Sequence, residues 1–257
     1  MSANEREAVL ELRHVAYRYP DGTLALRGVD LRVARGEAIA VVGANGAGKS
    51  TLLQHFNGLL LPKHGSVVVE GRPVTPATLR EVRRRVGFVF QDPDDQLFMP
   101  TVADDVAFGP LNLGLDAEAV RARVQAALEA VGAGALAARA TYRLSGGEKR
   151  AVALAGVIAM EPSIIVLDEP TAALDAAGRR RLIDLLRALA HTRIVATHDL
   201  DLVVEVCARV VVLHEGRVEA DGAPATVFAD AALLHRCRLE PPPGMRGAWR
   251  AAGEGAV

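Results

Sequence analysis

Cysteine is nearly missing from this sequence. The two present, Cys207 and Cys237, stand far apart and show no metal-ligand spacing. That excludes a disulfide framework and predicts reduced thiols in a cytoplasmic compartment. Long apolar runs are missing as well: the longest, Ala151 to Met160, is about half of the ~20 residues that a membrane-spanning helix needs. The opening residues, Met1 to Glu7, are charged and hold no apolar segment of the signal-peptide kind. A soluble chain is expected, with any work at a membrane done through a partner.

Charge of one sign is also lacking. The formal net charge of −1 argues against a nucleic-acid binder that runs on bulk positive charge, so no nucleic-acid partner is expected. The arginine runs at 83–85 and 179–181 read as solvated helix faces. The seven histidines lack the clustered spacing of a transition-metal site. Aromatics make up only 4% of the chain, and its single tryptophan, Trp249, lies in a proline- and glycine-rich end. Residues 241–257 are therefore expected to form a loose tail, with docking of Trp249 as the alternative. Internal repeats are absent.

What is present begins with Gly43-Ala44-Asn45-Gly46-Ala47-Gly48-Lys49-Ser50, of the form G-x-x-x-x-G-K-[ST]. An apolar run, Glu37 to Val42, precedes it and reads as a buried strand; Thr51 to Gly58 follows and reads as a helix with a glycine stop. Glycines free successive N–H groups to point at one phosphate, and the helix start adds its positive dipole end. Lys49 supplies a point charge to the β- and γ-phosphates, and the Ser50 hydroxyl is placed to ligate magnesium. ATP with Mg2+ is the expected cofactor pair. A guanine-reading Asn-Lys-x-Asp string, which a P-loop GTPase switch would need, does not occur.

Ile164-Ile165-Val166-Leu167-Asp168-Glu169 is an apolar strand ending in two carboxylates. Such an end sits at the carboxyl edge of a sheet, where open α/β folds bind ligands. Asp168 is then placed to hold magnesium directly or through water, and Glu169 to polarise an attacking water. Leu144-Ser145-Gly146-Gly147-Glu148 offers a hydroxyl and backbone N–H groups at a helix start, a second anion site.

Along the chain, residues 9–34 alternate as antiparallel strands around Pro20-Asp21-Gly22, with further strands at 65–70 and 86–90 and a helix at 79–85 between them. Helical periodicity marks 102–108 and 117–131. Strands at 163–167, 193–196 and 209–213 then alternate with helices at 176–190 and 200–207, the pattern of a parallel sheet covered on both faces.

The order cradle, Ser-Gly-Gly, Asp-Glu resembles the ATP-binding cassette family from Leu10 to about Phe228. The resemblance implies an α/β P-loop NTPase fold with a mixed sheet, an N-terminal antiparallel β subdomain and an inserted α-helical subdomain. One ATPase domain is expected over 1–240, with its core at 1–91 and 161–240 and the helical insertion at 92–160. It implies an ATPase in which two copies sandwich ATP, the cradle through Thr51 on one side and Ser145, Gly146, Gly147 and Glu148 of the other copy facing it. Tyr19 would stack on adenine, with Tyr17 the lesser candidate. Gln91 would touch magnesium and the attacking water, and His198 the γ-phosphate. Catalysis would rest on Glu169, His198, Gln91 and Lys49. Asp175 would lie at the dimer interface, although Ala172 stands where many members carry serine and puts one cross-dimer contact in doubt.

Within the family, members acting on DNA carry long coiled-coil insertions, and translation-associated members join two cassettes; this chain shows neither. The stretch Asp92-Pro93-Asp94-Asp95-Gln96-Leu97-Phe98 with Thr101 to Pro110 resembles importer ATPases of the energy-coupling-factor type, and 155–162 is similar to the cobalt and nickel branch. The carboxylates at 92–95 do not make a calcium loop, since its sixth and twelfth positions would be Leu97 and Ala103. In such importers the 92–98 loop would grip a transmembrane coupling subunit, beside a metal-binding membrane subunit, at the cytoplasmic face of the membrane. Cobalt is the expected cargo, with nickel or a vitamin as alternatives.

Overall fold

A computed structural model describes residues 7–245. Two sheets form the frame. Strands β1 (Ala8–Arg18) and β2 (Leu24–Ala34) pair antiparallel, with Leu12 opposite Leu31 and Leu10 opposite Val33. The turn between them closes by Gly22 N–H donating to the Tyr19 carbonyl at 3.0 Å. After β3 (Ala38–Val42) and helix α1 (Lys49–Phe56) come β4 (His64–Val69) and the short β5 (Arg72–Pro73), which complete a four-stranded antiparallel sheet in the order β2-β1-β4-β5.

Helix α2 (Leu79–Arg85) leads into β6 (Val86–Val89). Three helices follow: α3 (Val102–Asn112), α4 (Ala117–Ala130) and α5 (Gly146–Ile158). The chain returns through β7 (Ile164–Asp168), α6 (Ala176–Ala188), β8 (Thr192–Ala196), α7 (Leu200–Val206), β9 (Arg209–His214) and β10 (Arg217–Gly222). It ends, within the described residues, in α8 (Pro224–Val227), α9 (Ala231–Arg236) and a 3-10 turn at Pro243–Met245. The second sheet has six strands in the order β10-β9-β3-β8-β7-β6, parallel except at β10.

Burial explains the layers. Strands β3, β7 and β8 are buried at every residue, so both faces must be covered. One face packs on α1, whose Leu52, Leu53 and Phe56 share a core with Leu10 and Val67 of the antiparallel sheet and Ile39 and Val166 of the parallel one. The other face packs on α6, α7 and α9, through Ile183, Leu186, Leu202, Val203 and Leu234. Helices α3 to α5 build a third core around Val106, Leu128 and Val152. Both cysteines are free and buried, and burial pushes the Cys207 thiol up to about 12, consistent with inert reduced thiols.

Several local expectations needed correction. Helix α3 runs past Phe108 through Pro110 to Asn112, because Val102, Val106 and Pro110 share its buried face and packing offsets the lost N–H. Strand β10 escapes a pattern reading because its burial alternates only between exposed and half-buried, and it carries Asp221 and Gly222. It is held instead by a tight turn with left-handed Glu215 and Gly216. The arginine runs are not simply solvated. Arg83 donates to the carbonyls of Asn57 and Gly58, Arg84 to that of Leu113, and Arg85 pairs with Glu70. Arg179 forks onto Asp199 at 2.6 and 2.8 Å, and Arg180 pairs with Asp184 and Glu205. Charge runs bind where neighbouring elements present carbonyls and carboxylates, which the run itself does not reveal. The expected tail is described only as far as residue 245, and Trp249 lies outside the described residues.

Phe56 has no exposed surface and bridges both sheets. Phe56→Ala is expected to cost about 3–5 kcal/mol, read as a lower midpoint in denaturant unfolding with unchanged slope.

Candidate active site

The carboxyl ends of three adjacent strands, β3, β8 and β7, meet at one edge. The loop after β3 turns directly into α1. At Gly43 a Cβ would come 2.2 Å from the Leu213 carbonyl oxygen, so only glycine fits. Gly48 sits at φ +103, and a Cβ there would meet the Ala25 carbonyl oxygen at 2.6 Å. Lys49 opens the helix and folds back: its Nζ donates to the carbonyl of Gly43 at 2.8 Å and approaches that of Ala44 at 3.4 Å. The ammonium is almost wholly buried, at the centre of a loop lined by Ala44, Asn45 and Gly46. Phosphate oxygens can replace these carbonyls without moving the lysine far.

Glu169 follows β7 in a left-handed conformation, φ 45, with its N–H donating to the Ala196 carbonyl at 2.8 Å. Its carboxylate stands between Lys49 and His198. One oxygen lies 4.0 Å from Lys49 Nζ, and the other lies 2.7 Å from His198 Nδ1 and accepts the His198 N–H at 3.2 Å. His198 follows β8, so the three groups come from the three adjoining strand ends. A carboxylate so held can orient a water and take its proton.

Asp168 is buried. Burial pushes its carboxyl above the ordinary carboxylate value, with Glu169 adding to the effect, while the Ser50 hydroxyl and Lys49 pull it back. Its Oδ1 is buried with no hydrogen-bond partner. A buried, unsatisfied carboxylate oxygen beside a serine hydroxyl has the chemistry of a divalent-cation ligand set, and Mg2+ fits these residues.

Tyr19 lines the cavity with its hydroxyl 3.0 Å from Thr51 Oγ1, and Tyr17 packs edge-on beneath it at 5.1 Å between ring centroids. Of the two tyrosines only Tyr19 lines the cavity, and Tyr17 belongs to the core. The cavity holds about 920 Å3. Its lining includes Gln91, which also borders a second cavity of about 560 Å3 reaching Ser50, Asp168 and Gly146.

Other expected site residues lie elsewhere in the single chain. Ser145 caps α5, accepting from Glu148 N–H at 3.4 Å, while Glu148 accepts the Ser145 N–H at 2.7 Å. That bond and Arg139 hold the Glu148 carboxyl below its ordinary value. Ser145, Gly147 and Glu148 do not line the cradle cavity. Asp175 caps α6 through the Gly178 N–H at 2.6 Å. The 92–98 loop begins with Asp92 capping a 3-10 turn over Pro93, Asp94 and Asp95. Gln96 accepts from Phe90 N–H and donates to the Ala153 carbonyl, Leu97 packs on the helical core, and Phe98 lies exposed edge-on to Phe108.

Two features had no signal in the sequence pattern. Residues Arg238 to Pro241 and Pro243 line the cavity wall, and of these only Pro241 and Pro243 belong to the expected tail. Buried Pro242 anchors that segment, and no periodicity announces it. Arg150, one turn into α5, donates to the carbonyls of Glu169 and Gln91.

Because Asp168 has a raised folded-state pKa, its neutral form stabilises the fold below the ordinary value of 3.8, and that contribution is lost as pH rises through the folded value. Asp168→Asn removes the buried charge. The variant is expected to melt about 2–4 °C higher without ligand at neutral pH, to lose this advantage in acid, and to lose Mg2+-dependent turnover.

The sequence profile of the ABC transporter family matches residues 26–172. An ABC transporter ATP-binding protein of Geobacter sulfurreducens is 58% identical over 93% of this chain and 96% of its own length. The energy-coupling factor transporter ATP-binding protein EcfA of Methanocaldococcus jannaschii is 47% identical over 91% and 86%. Among solved structures, CbiO1 from Clostridium perfringens, part of the ABC transporter complex CbiONQ, superposes with a TM-score of 0.80 at 42% identity, covering 90% of this chain and 94% of that one. A dimeric ATP-binding cassette in a post-hydrolysis state with ADP and phosphate gives 0.77 at 29% identity, covering 84% and 98%. A phosphate loop, a carboxylate pair and a histidine on adjoining strand ends, in a chain with these relatives, make the protein an ATPase of the ABC transporter family, among the ATP-binding subunits of the energy-coupling-factor type.

Proposed function

We propose that this chain is the motor of a cobalt importer, closing as a pair of copies on ATP and driving a membrane partner through the 92–98 loop. The observation that carries the reading is the Glu169 carboxylate, held between Lys49 and His198 beside the unsatisfied Asp168 oxygen. Gly43 to Thr51 cradle the phosphates, with Lys49 moving from loop carbonyls to the β- and γ-phosphates. Tyr19 stacks on adenine. Glu169 takes the proton of the attacking water, and His198 holds the γ-phosphate in line. Ser50, Gln91 and Asp168 would hold Mg2+, which supplies neutralising charge on the phosphates. The products are ADP and phosphate.

The second copy completes the site. Ser145, Gly146 and Gly147 present the start of a thirteen-residue helix, whose capping box orients the tip but leaves Ser145 away from its own cradle. A tip facing outward suits a partner's nucleotide, and the relative solved as a dimer with ADP supports this. Asp175 belongs to the same interface. Among the described residues no helix is long and apolar enough to cross a membrane, so the proposed peripheral position depends on a partner. Exposed Phe98 and Phe108 offer it an apolar contact. The cobalt reading is supported by the resemblance at 92–110 and 155–162. It is tested by reconstituting the chain with its membrane partners and comparing uptake of radioactive cobalt and nickel; nickel uptake alone would move the assignment to nickel.

Glu169→Gln is expected to keep ATP affinity, slow hydrolysis by about 100-fold or more, and trap a dimer visible on gel filtration. Unslowed turnover would remove Glu169 from its role. Ser145→Arg is expected to abolish hydrolysis while each chain still binds nucleotide; a fully active variant would remove the helix tip from the site.

A further inference from the structure

Arg150 of α5 reaches both the loop after β6 and the loop after β7 with its side chain. It lies one turn into α5, and its residue surface is 6% exposed. Its guanidinium forks across two backbones: one terminal nitrogen donates to the Glu169 carbonyl at 3.1 Å, the other to the Gln91 carbonyl at 3.0 Å. Gln91 follows β6 and Glu169 follows β7, and these strands are paired in parallel, Val89 beside Leu167. The arginine therefore clasps two adjoining strand ends.

The clasp is an unfavourable one for stability alone. Among the described residues no carboxylate hydrogen-bonds the guanidinium; burial lowers its pKa, Asp92 partly restores it, and its Nε is buried without a partner. Well-packed apolar side chains commonly replace buried charges at no loss of stability. What the charge does hold is geometry. Glu169 adopts φ 45, which a residue bearing a Cβ rarely takes, and this backbone aims its carboxylate at Lys49 and His198. Arg150 pins the carbonyl of that same residue. Two more ties join α5 to the loop after β6: Gln96 to the Ala153 carbonyl at 2.8 Å, and Lys149 to Asp94. The helix, its Ser145 tip and the Gln91 loop are thus bound together around one side chain.

We propose that Arg150 is a positioning residue that locks Glu169 and Gln91 to the helix carrying Ser145, so that seating Ser145 on the partner copy's nucleotide aligns the hydrolytic groups on the chain's own. The inference rests on the two-copy reading above and adds to it a physical link between the two nucleotide sites. Reciprocal links of this kind make hydrolysis cooperative in ATP.

The full-length chain carrying Arg150→Met, which keeps the volume and removes the donors, tests it. Steady-state hydrolysis should show kcat lowered about 100-fold, as for a misplaced catalytic group. KM and the affinity for a fluorescent ATP analogue should stay within about threefold, and the Hill coefficient should fall toward 1. Melting temperature should hold or rise. Arg150→Lys, which keeps the charge and reaches one carbonyl, should restore part of kcat. A wild-type kcat and Hill coefficient in Arg150→Met would overturn the proposal. So would a kcat loss matched by lost ATP affinity and a lower melting temperature, the signature of a packing residue. Should the methionine variant not fold, Arg150→Lys carries the test alone, and wild-type kcat with wild-type cooperativity in it would overturn the two-carbonyl clasp. Failure of the two-copy reading is separate: it would appear in the unaltered chain, as hydrolysis with no dependence on a second copy.

Discussion

The ion pair of Lys49 and Glu169, 4.0 Å apart and almost wholly buried, is the constraint around which the molecule is arranged. In a medium far less polar than water, two such charges interact strongly and would be costly apart. They do not come from neighbouring strands. Lys49 follows β3 and Glu169 follows β7, with β8 lying between, and it is the end of β8 that delivers His198. One sheet order therefore assembles three reactive groups spread over 149 positions of the sequence, from Lys49 to His198. The loop glycines serve the same end, since the approaches of Gly43 to the Leu213 carbonyl and of Gly48 to that of Ala25 leave no space for a side chain.

The same edge holds two of the five buried unsatisfied side-chain polar atoms found among the described residues, together with a left-handed backbone. Asp168 has a buried unsatisfied oxygen, Arg150 a buried unsatisfied nitrogen, and Glu169 a left-handed backbone. Each is unfavourable in isolation, and each suits a role with nucleotide. Stability is supplied elsewhere, by α1 packed between two sheets and by helices covering the far face of the parallel one. The frame can hold strained groups because the strands that carry them are buried along their whole length. This is the usual division between a rigid scaffold and a preorganised site.

Helix α5 stands in a different relation to the site. Ser145, which caps its start with Glu148, is exposed and lies outside the lining of the chain's own cradle, while the second turn of the helix reaches the backbones of Glu169 and Gln91. A helix placed this way suits the two-copy site proposed above. The 92–98 loop is joined to the same helix through Gln96 and Asp94, so that loop and the backbones of Gln91 and Glu169 are all tied to α5 by direct polar contacts.

What the residue order determined by itself was local and strongly patterned. The cradle declares itself because its glycine spacing has a single structural solution between a buried strand and a helix, and the run 164–169 because four apolar residues followed by two carboxylates read as a buried strand with a polar end. Long-range alternation likewise marked β1 and β2. The tertiary structure alone decided what depends on which elements lie side by side. It set Tyr19 over the cavity and Tyr17 beneath it, turned Arg179 onto Asp199, bent residues 238–243 against the cavity wall, and brought Arg150 under two carbonyls. None of these has a period or a motif, because a hydrogen bond between distant backbones leaves no trace in the spacing of the residues that make it.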